Sequence, residues 1–157
     1  MSRWLFFAVV VLAVCIASPV FAQDAHVGTW KQNFDKSKTV PPSTNPRPQS
    51  VTRTYEMFGD GLKATFVTVT ADGKSTTSGF SAHFDGKDYP ATGTNFDTIA
   101  LKKIDNYSFE NVNKRGGKVV STGTNVVSKD GKTMTFTSKG VNASGQSTSA
   151  VLVFEKQ

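Results

Sequence analysis

Cysteine occurs once in the 157 residues, at Cys15, and histidine twice, at His26 and His83. Cys15 falls in an N-terminal leader. The remainder of the chain therefore has no disulfide, no thiolate nucleophile and no cysteine-ligated metal site. With no His-x-His, no two histidines at helical spacing and no paired carboxylates, neither a transition-metal site nor an acid–base pair is expected. Serines abound, but none sits in a nucleophile-elbow motif. No cofactor is expected, and no enzyme. The chain is basic, at net +6, yet it has no run of basic residues and no basic–aromatic motif, which excludes nucleic acid as a partner. Past residue 22 no apolar run is long enough to cross a bilayer as a helix.

The leader is explicit. Arg3 supplies a positive n-region, Leu5 to Ile16 an apolar h-region, and Val20-Phe21-Ala22 a small-residue cleavage site. Cleavage after Ala22 leaves a mature chain of 135 residues starting at Gln23, expected in the periplasm or outside the cell. An acylated alternative rests on Leu12-Ala13-Val14-Cys15, where Val14 fits poorly before the cysteine. Residues 23–157 are of a size for one domain, expected to be a monomer.

Nineteen threonines and thirteen serines in the mature chain, with few alanines and leucines, favour strand over helix. Apolar and polar residues alternate, and turn signals recur at Gly59-Asp60-Gly61, Asp72-Gly73, Asp85-Gly86, Gly116-Gly117, Asp130-Gly131 and Ser144-Gly145. In Lys132 to Lys139, Met134, Phe136 and Ser138 share one face and three threonines the other. The same reading predicts ten strands, at about 27–33, 49–58, 62–70, 74–84, 87–92, 97–104, 107–114, 118–128, 132–139 and 146–155. An all-β, antiparallel up-and-down meander of this kind is expected to close into a β-barrel of about 8 to 10 strands, because closure removes its edges. A sandwich is the alternative. Four prolines between Phe34 and Pro48 mark that stretch as a long irregular first loop with no room for a helix.

Gly28-Thr29-Trp30 resembles the Gly-x-Trp that opens lipocalins and fatty-acid-binding proteins, the calycin superfamily, and Phe154-Glu155-Lys156 resembles the Tyr-Glu-Lys that ends many intracellular fatty-acid-binding proteins. Small exported bacterial lipocalin-like proteins are the nearest group by this resemblance, which spans residues 27–155. It implies a barrel whose first strand pairs with its last, with Gly28 and Trp30 as the structural signature at the closed end. It also implies a small hydrophobic or amphipathic ligand held inside. The helix pair that closes fatty-acid-binding proteins is absent, and Leu152-Val153-Phe154 stands where that family commonly carries an Arg-x-Tyr carboxylate clamp.

An Arg-x-Tyr does occur on the second strand, where Val51, Arg53, Tyr55 and Met57 share one face. An arginine on an apolar face can anchor an anionic head group in a cavity, or snorkel to the rim, or form an internal ion pair. Candidate ligand-binding residues are Arg53, Tyr55, Met57, Phe66, Phe80, Phe84, Phe109, Met134 and Phe136, with Leu152 and Phe154 nearby. The same set could fill a packed core. A packed interior would exclude a carrier, whereas a cavity of about 300 Å³ or more would leave that reading open. In a meander the odd connections share one rim, and there the charges sum to +5 against +1 at the other end, so an anionic ligand is expected. His26 is expected to be solvated in a mobile N-terminus and His83 to point outward. The second functional reading is an inhibitor or interaction protein that uses Phe34 to Pro48, or the Gln23 to His26 tail, against an exported partner.

Overall fold

The structure, a computed structural model, describes residues 24–157, so the leader and its cleavage point lie outside the described residues. Ten strands follow one another: β1 Gly28–Val40, β2 Ser50–Phe58, β3 Gly61–Val69, β4 Ser75–Ala82, β5 Tyr89–Thr92, β6 Thr98–Asp105, β7 Ser108–Arg115, β8 Lys118–Val127, β9 Thr133–Val141 and β10 Ser147–Lys156. Each pairs antiparallel with its neighbours in sequence, and β1 pairs with β10 to close the barrel. The expected meander is therefore present, closed as a barrel and not split into a sandwich. The described residues contain no helix.

The first strand is longer than the sequence suggests. β1 continues through residues 34–40, the first part of the stretch read as loop, by means of an irregularity in its register with β10 between Asn33 and Lys38. Side chains satisfy the backbone there: Asn33 Oδ1 accepts from the N–H groups of Asp35 and Lys36, and Ser37 Oγ donates to the Asn33 carbonyl while accepting from Val153 N–H. Such bulges let a strand absorb extra residues and resume pairing. It stops where the prolines begin, because Pro41 and Pro42 have no N–H to offer a ladder. The irregular connection is thus residues 41–49, and Arg47 ties it back by stacking over Phe34 at 4.6 Å and pairing with Asp35 at 3.1 Å.

One end of the barrel is plugged. Trp30, Leu62, Leu101, Met134 and Phe154 are wholly buried there. The Trp30 indole N–H donates to the His26 carbonyl at 2.8 Å. Lys156 lies 4.3 Å over the Trp30 ring and donates to the Val27 carbonyl, joining the end of β10 to the start of β1. Gly28 is required at this crossing. Its φ is +125°, and a Cβ would come within 2.7 Å of Lys156 Nζ.

His26 is not solvated, contrary to the sequence reading. Residues 24–27 turn under the barrel, with Ala25 N–H bonded to the Asn106 carbonyl, and bury His26 against the Phe109 ring at 4.6 Å between centroids. A four-residue turn is too short to leave a periodic signal in sequence. Asp24 is buried with it. Burial alone would raise the Asp24 carboxyl, but hydrogen bonds from the His26 ring and backbone N–H and from Lys103 overcome that and hold it at about 2.

A depressed carboxyl pKa stabilises the fold above its unfolded value and is lost as pH falls through the folded one. Acid titration should therefore remove roughly 1 to 2 kcal/mol of unfolding free energy between about pH 4 and pH 2. Asp24→Asn should be less stable at neutral pH and should lack that component of the acid transition. An unchanged acid limb in the variant would remove Asp24 from the account.

Candidate functional site

Above the plug the barrel holds a cavity of about 210 Å³ that opens among the odd connections, with Asn95 and Phe96 of the β5–β6 connection on its lip. The cavity has two unlike walls. One comes from β2, β3, β4 and β9, and carries Arg53, Tyr55, Phe66, Phe80 and Phe136. The other comes from β7, β8 and β9, and carries Asn111, Asn113, Ser121, Asn125 and Ser138. Phe109 and Ile99 complete the lining.

Arg53 is half-buried and sits among three aromatic rings, with its guanidinium carbon 4.3 Å from the Phe154 centroid, 4.9 Å from Phe136 and 5.0 Å from Phe66. Ring faces attract a cation, and more strongly where water is thin. No carboxylate among the described residues lies within ion-pair distance of it. The arginine is thus neither an internal ion pair nor spent on a protein acid. Burial raises the Tyr55 phenol above its ordinary value while Arg53 beside it pulls the other way, so Tyr55 remains an O–H at neutral pH.

Six of the nine sequence-derived candidates meet around this space: Arg53, Tyr55, Phe66, Phe80, Phe109 and Phe136. Three do not line it. Met57 is 48 % exposed at the end of β2 beside the Gly59–Asp60 turn, although its alternation points inward and Leu62 opposite it on β3 is wholly buried. Met134 is fully buried, in the plug below the cavity. Phe84 falls just past β4 and packs against Phe109 with the rings tilted at 54° and their centroids 5.7 Å apart, and Lys103 lies over its ring at 5.5 Å. His83 is on the outside as expected, hydrogen-bonded to Asp60, with its side chain 37 % exposed.

Sequence reading missed the amide wall. Asn111 donates to Asn113 Oδ1 at 3.1 Å, and Asn113 donates to Ser121 Oγ at 2.9 Å. A signal was present: Phe109, Asn111 and Asn113 share one strand face, and asparagine is disfavoured within strands unless something there uses its amide.

The basic rim is real in sequence but partly engaged. Arg115 donates through Nε to the Asn95 carbonyl at 2.6 Å, and Lys114 pairs with Asp88 at 2.8 Å. Lys36, Arg47 and Lys74 also have acidic partners, whereas Lys38, Lys118 and Lys139 form no ion pair among the described residues. No group of three potential metal ligands occurs among the described residues.

No family model and no curated protein matches the chain in sequence. Solved structures are similar in fold. As-p18, an extracellular fatty acid binding protein, matches with a TM-score of 0.52 and 14 % identity over 86 % of this chain and 98 % of its own. The zebrafish ileal bile acid-binding protein complexed with cholic acid gives 0.49 and 13 %, over 85 % and 99 % of the two chains. The siderocalin Ex-FABP gives 0.39 and 10 %, over 85 % and 74 %. At these identities the likeness is one of architecture.

Proposed function

We propose that this ten-stranded barrel of calycin fold is an exported carrier for a small amphipathic anion, held with its acid group on Arg53. One observation carries the reading: a half-buried guanidinium, ringed by Phe66, Phe136 and Phe154, faces a cavity with no acid of its own chain to neutralise it. A charge withdrawn from water needs a partner, and a ligand carboxylate supplies one in bidentate geometry. The shared architecture with a fatty acid binding protein supports an interior site, and the leader pattern supports export. At about 210 Å³ the cavity is smaller than the roughly 300 Å³ expected of a carrier, though the interior is not packed solid, so the ligand is compact or extends through the mouth.

The inhibitor alternative loses one of its two elements, since Asp24 and His26 are buried in the plug; the exposed residues 41–47 remain available to it. Competition binding with octanoate and octanol tests the carrier. The acid should bind more tightly at neutral pH, and the difference should narrow as salt rises. Equal affinity for acid and alcohol would leave Arg53 without the role assigned to it.

A further inference from the structure

The wall opposite Arg53 carries two buried acceptors with nothing to accept. Asn111 is 4 % exposed and Asn125 3 %, both line the cavity, and the Oδ1 of each has no hydrogen-bond partner among the described residues. Buried polar groups are almost always satisfied, and one left open in a binding site points to what the site receives.

The hydrogen-bond chain makes Asn111 an open end in either direction. As drawn, Asn111 donates to Asn113 and Asn113 to Ser121, which leaves Asn111 Oδ1 free. With both amides turned over and the Ser121 hydroxyl donating, the Asn111 NH₂ would be left free instead. A hydroxyl suits both cases because it donates and accepts. Asn125 pairs with Phe109 across β7–β8, and Asn111 pairs with Gly123, so the two amides are diagonal neighbours on one face. Their backbones are then about 7 to 8 Å apart, a separation one hydroxyl between two side chains can span.

Gly123 makes room for the Phe136 ring and the Asn111 amide. A Cβ there would meet the Phe136 ring at 2.5 Å and Asn111 Oδ1 at 2.8 Å, so the ring and the amide share the space above a bare backbone. Phe136 is also one of the three rings around Arg53. A single aromatic side chain thus separates the cation from the open amide.

We propose that the cavity selects a hydroxylated carboxylate, with the acid on Arg53 and a hydroxyl between Asn111 and Asn125. This rests on the reading of Arg53 as the anchor for the acid, and it adds the chemistry of the rest of the molecule. A plain alkyl acid would bury both amides without partners. A hydroxy acid satisfies them.

The test compares octanoate with 8-hydroxyoctanoate on the wild-type protein, on Asn111→Leu/Asn125→Leu and on Arg53→Met. Wild type should hold the hydroxy acid about tenfold more tightly, and the leucine pair should shift the ratio of affinities by about ten- to a hundredfold toward octanoate. The leucine pair should unfold within a few degrees of wild type, since it removes two unpartnered acceptors but also the Asn111 donor to Asn113 Oδ1. Equal wild-type affinities for the two acids would show that solvent serves the amides and would overturn the proposal, whatever the variants do. If octanoate still outbinds octanol and loses that margin in Arg53→Met, only the hydroxyl assignment has failed. If neither acid outbinds octanol, the anion reading fails and takes the hydroxyl with it.

Discussion

Trp30→Ala should lower the unfolding free energy by about 3 to 5 kcal/mol, the range for truncating a large aromatic in a core that cannot collapse around the void. Trp30 is fully buried, and three independent contacts end with it. Its ring fills the closed end beside Leu62, Leu101, Met134 and Phe154. Its N–H satisfies the His26 carbonyl, which the variant leaves without that donor. Its face carries the Lys156 ammonium, whose pKa is lowered by burial and which would keep its position over a void. Chemical denaturation measures the loss. In protein that starts at Gln23 no other tryptophan is present, so its native emission reports on this site alone, and it should be blue-shifted and resistant to aqueous quenchers. A loss below about 1 kcal/mol, with red-shifted emission from native wild type, would mean that the plug does not hold the barrel shut.

Arg53→Met should remove most of the preference for a carboxylate over its alcohol, a loss of about 1.5 to 3 kcal/mol in binding, the worth of a hydrogen bond to a charged group. Methionine keeps much of the apolar bulk against Phe66, Phe136 and Phe154, so alcohol binding should change little. The variant should fold at least as well as wild type, because it removes a guanidinium that has no protein acid to pair with. Thr54→Met is the control, as Thr54 lies on the opposite face of β2 and meets Thr29 Oγ1 at 3.3 Å. Calorimetric titration decides between them. Disturbed binding in Thr54→Met with intact binding in Arg53→Met would place the ligand on the outside of the sheet.

Most of the barrel is legible because a half-buried strand writes its fold in period two and its turns in glycine and aspartate. Thr133 to Val141 is the clearest case, with Met134 and Phe136 inward as alternation requires. Alternation fails where tertiary position overrides it. Met57 keeps the correct parity for the interior, but parity says nothing about how far a residue at a strand's end is covered. Phe34 to Val40 carries polar and charged residues that read as loop, and strand pairing there is sustained by Asn33 and Ser37 side chains whose bonds no linear pattern encodes. The buried Asp24 and His26 are hidden for a related reason, since a single turn has no period. In the site itself, Arg53 stands out against an apolar background. Asn111, Asn113 and Asn125 do not, because an inward amide breaks the apolar rule by which inward positions are found.

The clasp between Gly28, Trp30 and Lys156 has a consequence in time. The seam between β1 and β10 joins residues more than a hundred positions apart, and its lysine closes the tenth strand. Hairpins between successive strands can form as each pair emerges from synthesis, but the contact that seals the barrel waits for β10, and closing so long a loop is slow. Until then the growing polypeptide is an open ribbon with an unpaired edge on β1, able to pair wrongly yet still able to be threaded. Arrival of β10 is therefore the event that commits the barrel to its native shape.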